Sequence, residues 1–190
     1  KTGTPAVNLH CAMHSYRIGN AGQKADAGTE RARWFEYLGL QSSGHGPKEP
    51  LTLTHTDKQH DITKTLEDWI TGPEELYNNI QLFPTAKPLM AGRQTVKGKD
   101  VEAVVTWLND FNGTRVFNTT VGHNNETVAD PRYLRLITRG VLWACGKLND
   151  DYLKPEPQAA APAPGMENLA LGKSTKASSE ESGKGNLAAK

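Results

Sequence analysis

The stretch that most constrains this chain is Pro5-Ala6-Val7-Asn8-Leu9-His10-Cys11-Ala12-Met13-His14. A short apolar run rich in strand formers stops at His10 and Cys11, and small, helix-tolerant residues follow. This is the pattern of a buried parallel strand that delivers reactive side chains to the carboxyl end of a sheet. Open α/β sheets bind their ligands at that end. The other histidines are therefore read as candidate partners for one sheet edge.

Thr4 to His10 reads as a strand and Ser15 to Lys24 as a polar loop. Asp26 to Leu38 has a helical pattern, with Asp26 as cap and Gly39 as stop. Ser42 to Pro47 is turn-rich, and Leu51 to Thr54 alternates like a strand. His55 to Thr63 is a polar connection, and Leu66 to Ile70 fits a helical turn. Pro73 suits a helix first turn or a tight bend. Strands are expected at Leu76 to Leu82, Lys87 to Ala91, Val101 to Leu108 and Thr114 to Thr120, with Asn112-Gly113 turning the last pair. Asp130-Pro131 opens a helix whose apolar stripe runs to Cys145, and Gly146 ends it. The order is that of an α/β layer architecture.

Composition excludes several classes. The net charge is +1, from 22 basic and 21 acidic residues, without a basic stripe, so nucleic acid is disfavoured as a partner. No apolar run approaches the roughly 20 residues of a membrane-spanning helix. Cys11 and Cys145 are too few for a disulfide framework and read as two separate thiols. After Leu153 the chain turns Pro- and Ala-rich over 154–166, as a semi-extended linker does. Residues 167–190 are small and polar and cannot bury a core by themselves.

Six segments fall in a recognisable order: Val7 to Ala12, Gly44-His45-Gly46-Pro47, His60-Asp61-Ile62-Thr63, Glu74-Glu75-Leu76-Tyr77, Gly113 to His123, and Arg139 to Ala144. Together they resemble the trehalose-utilisation (ThuA-like) family, a branch of the class I glutamine amidotransferase-like fold. The resemblance implies an α/β, flavodoxin-like doubly wound sheet. It makes residues 1–153 the C-terminal portion of such a domain, with the first strands upstream of this chain. The family has proline after the histidine at the His60 position, where this chain has Asp61. Residues 167–190 resemble the opening of a discoidin (coagulation factor 5/8 type C) carbohydrate-binding domain, which by association implies a periplasmic or secreted protein.

The candidate catalytic residues are His10, His45, Glu75 and His123. His10 ends the first strand, and the resemblance places it at the site. His45 lies between two glycines that let backbone approach a ligand. Glu75, rather than its neighbour Glu74, is the candidate acid/base carboxylate. His123 follows a strand end. Trp34, Tyr77 and His60 are candidate substrate contacts, with core still the favoured reading of Trp34 and a loop anchor the other reading of His60. His10 and His14 are spaced as a His-x-x-x-His metal pair if the turn continues as a helix, which leaves a divalent metal open as cofactor. Cys11 lacks the flanking glycines of an amidotransferase nucleophile elbow, so a strained turn is not expected there. The leading reading is acid/base chemistry on a sugar or keto-sugar derivative. The alternatives are a non-catalytic sugar- or polysaccharide-binding module and a Cys11-dependent glutamine amidotransferase.

Overall fold

The computed structural model describes residues 3–154. The proposed linker from residue 155 and the discoidin-like segment lie outside the described residues. The described residues form eight strands and three α-helices, with β2 to β8 following one another without an intervening helix. The strands are β1 (Ala6–Leu9), β2 (Leu40–Gln41), β3 (His45–His55), β4 (Trp69–Tyr77), β5 (Gln81–Leu82), β6 (Ala86–Val96), β7 (Lys99–Phe111) and β8 (Thr114–Thr119). The helices are α1 (Arg33–Leu38), α2 (Asn125–Ala129) and α3 (Pro131–Ala144). Among the described residues no helix is long and apolar enough to cross a membrane.

Six strands form one mixed sheet in the order β1-β8-β7-β6-β3-β4, and β2 pairs with β5 separately. β1 and β8 run parallel, with Leu9 opposite Thr119. Every other neighbour in the large sheet is antiparallel. The strand directions therefore bring the carboxyl ends of β1, β8 and β4 and the start of β3 to one rim. Helices cover both faces of β8: Phe117 meets α3 at Gly140, and the amide of Asn118 donates to the Leu38 carbonyl at the end of α1. The architecture is α/β, as the sequence implies.

A flat sheet would hold β1 and β4 about 24 Å apart, at about 4.8 Å per strand. Instead the sheet curls. Bulges bend β3 against β4 near His45 and Pro50, and β6 against β7 near Met90. Gly92 sits inside the curve, where a Cβ would lie 2.8 Å from Val105. The concave interior holds Leu51, Leu53, Leu76, Leu89, Val105 and Phe117, closed by Tyr133 and Leu136 of α3. A second cluster joins Met13, Leu38, Leu40, Tyr77 and Trp107. The Trp107 indole donates to the Leu38 carbonyl at 2.7 Å, which completes its burial.

Several local expectations are corrected. Helix α1 occupies only Arg33–Leu38 of the expected 26–38 segment. Upstream, the side chain of buried Gln41 accepts from Ala25 N and donates to the carbonyls of Ala21 and Gln23, fixing that chain as turns. Residues 66–70 are not a helical turn, because β4 begins at Trp69. Pro73 lies within β4 opposite Pro50, next to a bulge, so neither proline deprives the other of a ladder donor. The strand expected over 76–82 is broken into the end of β4 and β5. β3 starts at His45, inside the segment read as a loop. Gly39 takes the left-handed conformation expected of a helix stop, at φ 86°. Asp130 caps α3 through Arg132 N, with Pro131 at its first position.

Gly140 tests the packing of α3. Alanine in a helix interior gains about 1 kcal/mol over glycine. Here its Cβ would lie 2.7 Å from three carbons of the buried Phe117 ring. Overpacking costs about 1–3 kcal/mol, and the rigid ring cannot swing aside. Gly140→Ala is expected to destabilise the domain by about 1 kcal/mol, lowering the urea midpoint at unchanged slope. A raised midpoint would show that the interface yields.

Candidate functional site

At the shared rim, side chains from three places in the chain meet one carboxylate. β1 ends at Leu9, and the chain turns directly into a 3-10 segment, His10–His14. His10 itself has φ 46°, a left-handed conformation that costs a non-glycine residue roughly 1 kcal/mol or more. The strained turn is therefore present without flanking glycines, and it is His10, not Cys11, that occupies it. His10 Nδ1 lies 2.8 Å from the carbonyl oxygen of Thr120, just past β8. That carbonyl only accepts, so Nδ1 carries the hydrogen, and in the neutral ring Nε2 faces the site with a lone pair.

Glu75, near the end of β4, is the hub. Its Oε2 lies 3.5 Å from His10 Nε2, 3.5 Å from His45 Nε2 and 3.4 Å from His123 Nδ1. His10 Nε2 and His123 Nδ1 are 3.3 Å apart. His45 Nδ1 is held by the Gly46 carbonyl at 2.9 Å, so its Nε2 also faces Glu75 without a hydrogen in the neutral ring. The Glu75 side chain is 8% exposed and that of His45 40%, so His45 is the member that solvent or substrate meets first.

The preceding carboxylate has a separate task. Glu74 is fully buried and accepts from the backbone N–H groups of Gly122, His123 and Asn124, with His123 N at 2.9 Å from both oxygens. It anchors the loop that carries His123. Sequence reasoning passed over this role, and the adjacent pair Glu74-Glu75 was its only local signal. Asn124 then caps α2 by accepting from Thr127 N and donates to the Pro73 carbonyl. Gly122, at φ 121°, sits where a Cβ would meet the Tyr133 hydroxyl at 2.6 Å.

Tyr77 is the floor of the site. Its ring lies 5.2–5.4 Å from those of His10, His14 and His45. Burial raises the pKa of its phenol, and the adjacent Cys11 thiol and the charges of Glu75 and Glu74 raise it further. It stays protonated and able to donate. Cys11 Sγ lies 3.8 Å from the Tyr77 hydroxyl, and among the described residues no histidine is hydrogen-bonded to it. Both cysteines are free.

Three of the sequence-derived residues fall elsewhere. His14 is not among the donors that converge on Glu75. The turn is 3-10, with three residues per turn, so position i+4 does not return to the face of His10. Burial, followed by the Arg17 charge, lowers the pKa of His14, and its Nε2 is enclosed without a partner. His60 accepts from Ile62 N at 3.2 Å and packs edge-on to Trp143 of α3, which makes it a loop anchor. Trp34 donates its indole N–H to the Met13 carbonyl and stacks on Tyr37. With Tyr16, Ile18 and Phe111 it lines a recess of about 490 Å³ behind the His10–His14 turn. His55 is structural, buried against Asp68 at 2.6 Å. The N–H and ring of His55 hold the Asp68 carboxyl down to about 2.

The curled mixed α/β sheet is the fold of a ThuA-like domain. The family model described as ThuA, trehalose utilisation, matches residues 9–144, and the chain belongs to that family. Its fold is similar to that of a ThuA-like protein from Parabacteroides merdae, with 19% identity and a TM-score of 0.58 over 80% of this chain and 63% of that one. A ThuA-like protein from Bacteroides uniformis is similar at 18% identity and a TM-score of 0.53, over 78% of this chain and 62% of that one. The chain thus spans less than two thirds of either structure. No curated protein matches it.

Proposed function

We propose that this domain acts on a sugar or keto-sugar derivative by moving a proton beside a carbonyl group. The observation that carries the reading is the convergence of His10, His45 and His123 on Glu75 Oε2. His45 is the base. Its exposed Nε2 carries a lone pair, and Glu75 stabilises the imidazolium that forms. The C–H bond next to the ketone breaks, its electron pair moves onto the carbonyl oxygen, and His45 holds the proton until it returns. Tyr77, kept protonated by burial, supplies a donor to the developing oxyanion. The same proton transfer serves isomerisation of a keto-glycoside. A periplasmic or secreted setting belongs to this proposal, through the carbohydrate-binding resemblance of residues 167–190.

The test is proton exchange. The full chain is incubated in D2O with a 3-keto-glycoside, and the signal of the hydrogen beside the ketone is followed by NMR. The expected result is exchange faster than in buffer and lost in His45→Ala. Exchange no faster than the blank for a panel of keto-sugars would sink the reading.

A further inference from the structure

We infer that His10 Nε2, His123 Nδ1 and Glu75 Oε2 form a three-ligand site for a zinc-like divalent cation, with the fourth position open toward His45. The inference concerns the same site as the proton-transfer reading and rests on it for its chemical purpose. The three donor atoms form a nearly equilateral triangle with edges of 3.3, 3.4 and 3.5 Å. A tetrahedral ion with bonds of about 2.1 Å requires ligand atoms about 3.4 Å apart, whereas octahedral neighbours at that bond length lie about 3.0 Å apart. The triangle has the tetrahedral spacing. Two histidines and a glutamate around an open fourth position are also a ligand set of hydrolytic zinc sites.

Hydrogen-bond chemistry points the same way. The Thr120 carbonyl takes the His10 Nδ1 hydrogen at 2.8 Å, leaving a lone pair on Nε2. That lone pair faces a carboxylate oxygen at 3.5 Å and the His123 nitrogen at 3.3 Å. Electron pairs arranged around one point repel unless a hydrogen on His123 Nδ1 or a cation lies among them. A carbonyl on the far nitrogen of a ligand histidine is also the usual outer support of a metal site, fixing the tautomer and ring orientation. Glu74 supplies a second support by holding the backbone of His123 through its N–H. The φ of 46° at His10 is strain that a bound ion would offset.

The alternative occupant of the gap is a proton, with His10 or His123 as an imidazolium paired to Glu75. The two differ in what they bind. A cation there would polarise a substrate carbonyl as a Lewis acid, leaving His45 as the free base.

The full chain, stripped by chelator and dialysed, is titrated with Zn2+, with Mg2+ as the comparison, and bound metal is counted by mass spectrometry. One Zn2+ per chain is expected, with Mg2+ failing to compete. Glu75→Gln and His123→Ala are each expected to weaken zinc by about 100-fold or more, because outer-support changes alone cost 10–100-fold. His45→Ala should leave the stoichiometry at one. Co2+ substituted for zinc should show the intense visible bands of a tetrahedral site, a readout that does not depend on activity. No stoichiometric zinc, or zinc retained by both ligand variants, would overturn the inference. Proton exchange in a chain that binds no stoichiometric zinc would overturn it while sparing the proton-transfer reading. Stoichiometric zinc without proton exchange on any keto-sugar would uphold it and sink that reading.

Discussion

Replacing Glu75 by Gln is expected to lower proton exchange on a keto-sugar by at least about 100-fold while leaving the domain folded. Positioned acid/base groups contribute about 10²- to 10⁴-fold to rate. Glu75 differs from the histidines because all three ring nitrogens converge on its Oε2 at 3.4–3.5 Å. The amide keeps the side chain's shape but removes the negative charge, and it presents an N–H or a neutral oxygen where an anion stood. In the proposed mechanism the imidazolium on His45 then loses its counter-charge, and the proposed cation site loses its one anionic ligand. Glu74→Gln provides the contrast. Its carboxylate lies against backbone N–H groups, so that change should loosen the His123 loop and act through positioning. Rescue of Glu74→Ala by Asp or Gln would mark a positioning role. Glu75 should accept no such rescue by Gln. Activity in Glu75→Gln within a few-fold of the parent would remove Glu75 from the chemistry.

The ends of elements were more legible than their middles. Gly39, Asp130-Pro131 and Asn112-Gly113 work locally, through backbone angles and caps, and each does what its residue type requires. Asn112 and Gly113 take φ 54° and 80°, as a tight hairpin needs. The errors lie where distant contacts decide. Residues 26–32 look helical, yet neighbouring turns are held by the side chain of Gln41. Pro73 looks like a helix start, yet it lies in a strand because Pro50 opposes it.

The site divides in the same way. His10, His45, Glu75 and His123 could be named as candidates from strand ends and family order, and the structure brings their side chains together. What brings them together is the curl, set by bulges in β3 and β6 and by Gly92, and no single segment announces it. The His10–His14 pairing failed because it assumed an α-helical turn. The left-handed backbone at His10 arises without a flanking glycine, which is the usual local signal for it. A turn can be strained through a histidine when the ring is tied down, as the Thr120 carbonyl ties this one.

Arg139→Met is expected to destabilise the domain by about 2–4 kcal/mol, the largest stability effect of the changes considered. Arg139 belongs to the last motif of the family resemblance, yet it lies away from the Glu75 cluster and is 1% exposed. Its guanidinium donates to the carbonyls of Ile62, Lys64 and Tyr152 and to the Thr65 hydroxyl, at 2.7–3.2 Å. Among the described residues it has no carboxylate partner, and burial lowers its pKa. Methionine keeps the apolar stem and relieves the cost of burying the charge. It also strands several carbonyls, each at about 1–3 kcal/mol if left unpaired. The second effect wins, because the loop at 62–65 and the turn at 150–152 are tied to α3 through this one side chain, with the Thr65–Leu153 hydrogen bond as support. At about 3 °C per kcal/mol for a domain of this size, the melting temperature should fall by roughly 6–12 °C. Hydrogen exchange should quicken first at 62–65 and 152–153. Arg139→Lys should fall between the two, since a single ammonium cannot span acceptors that a planar fork reaches together. An unchanged melting temperature in Arg139→Met would show that the buried charge costs as much as its hydrogen bonds return.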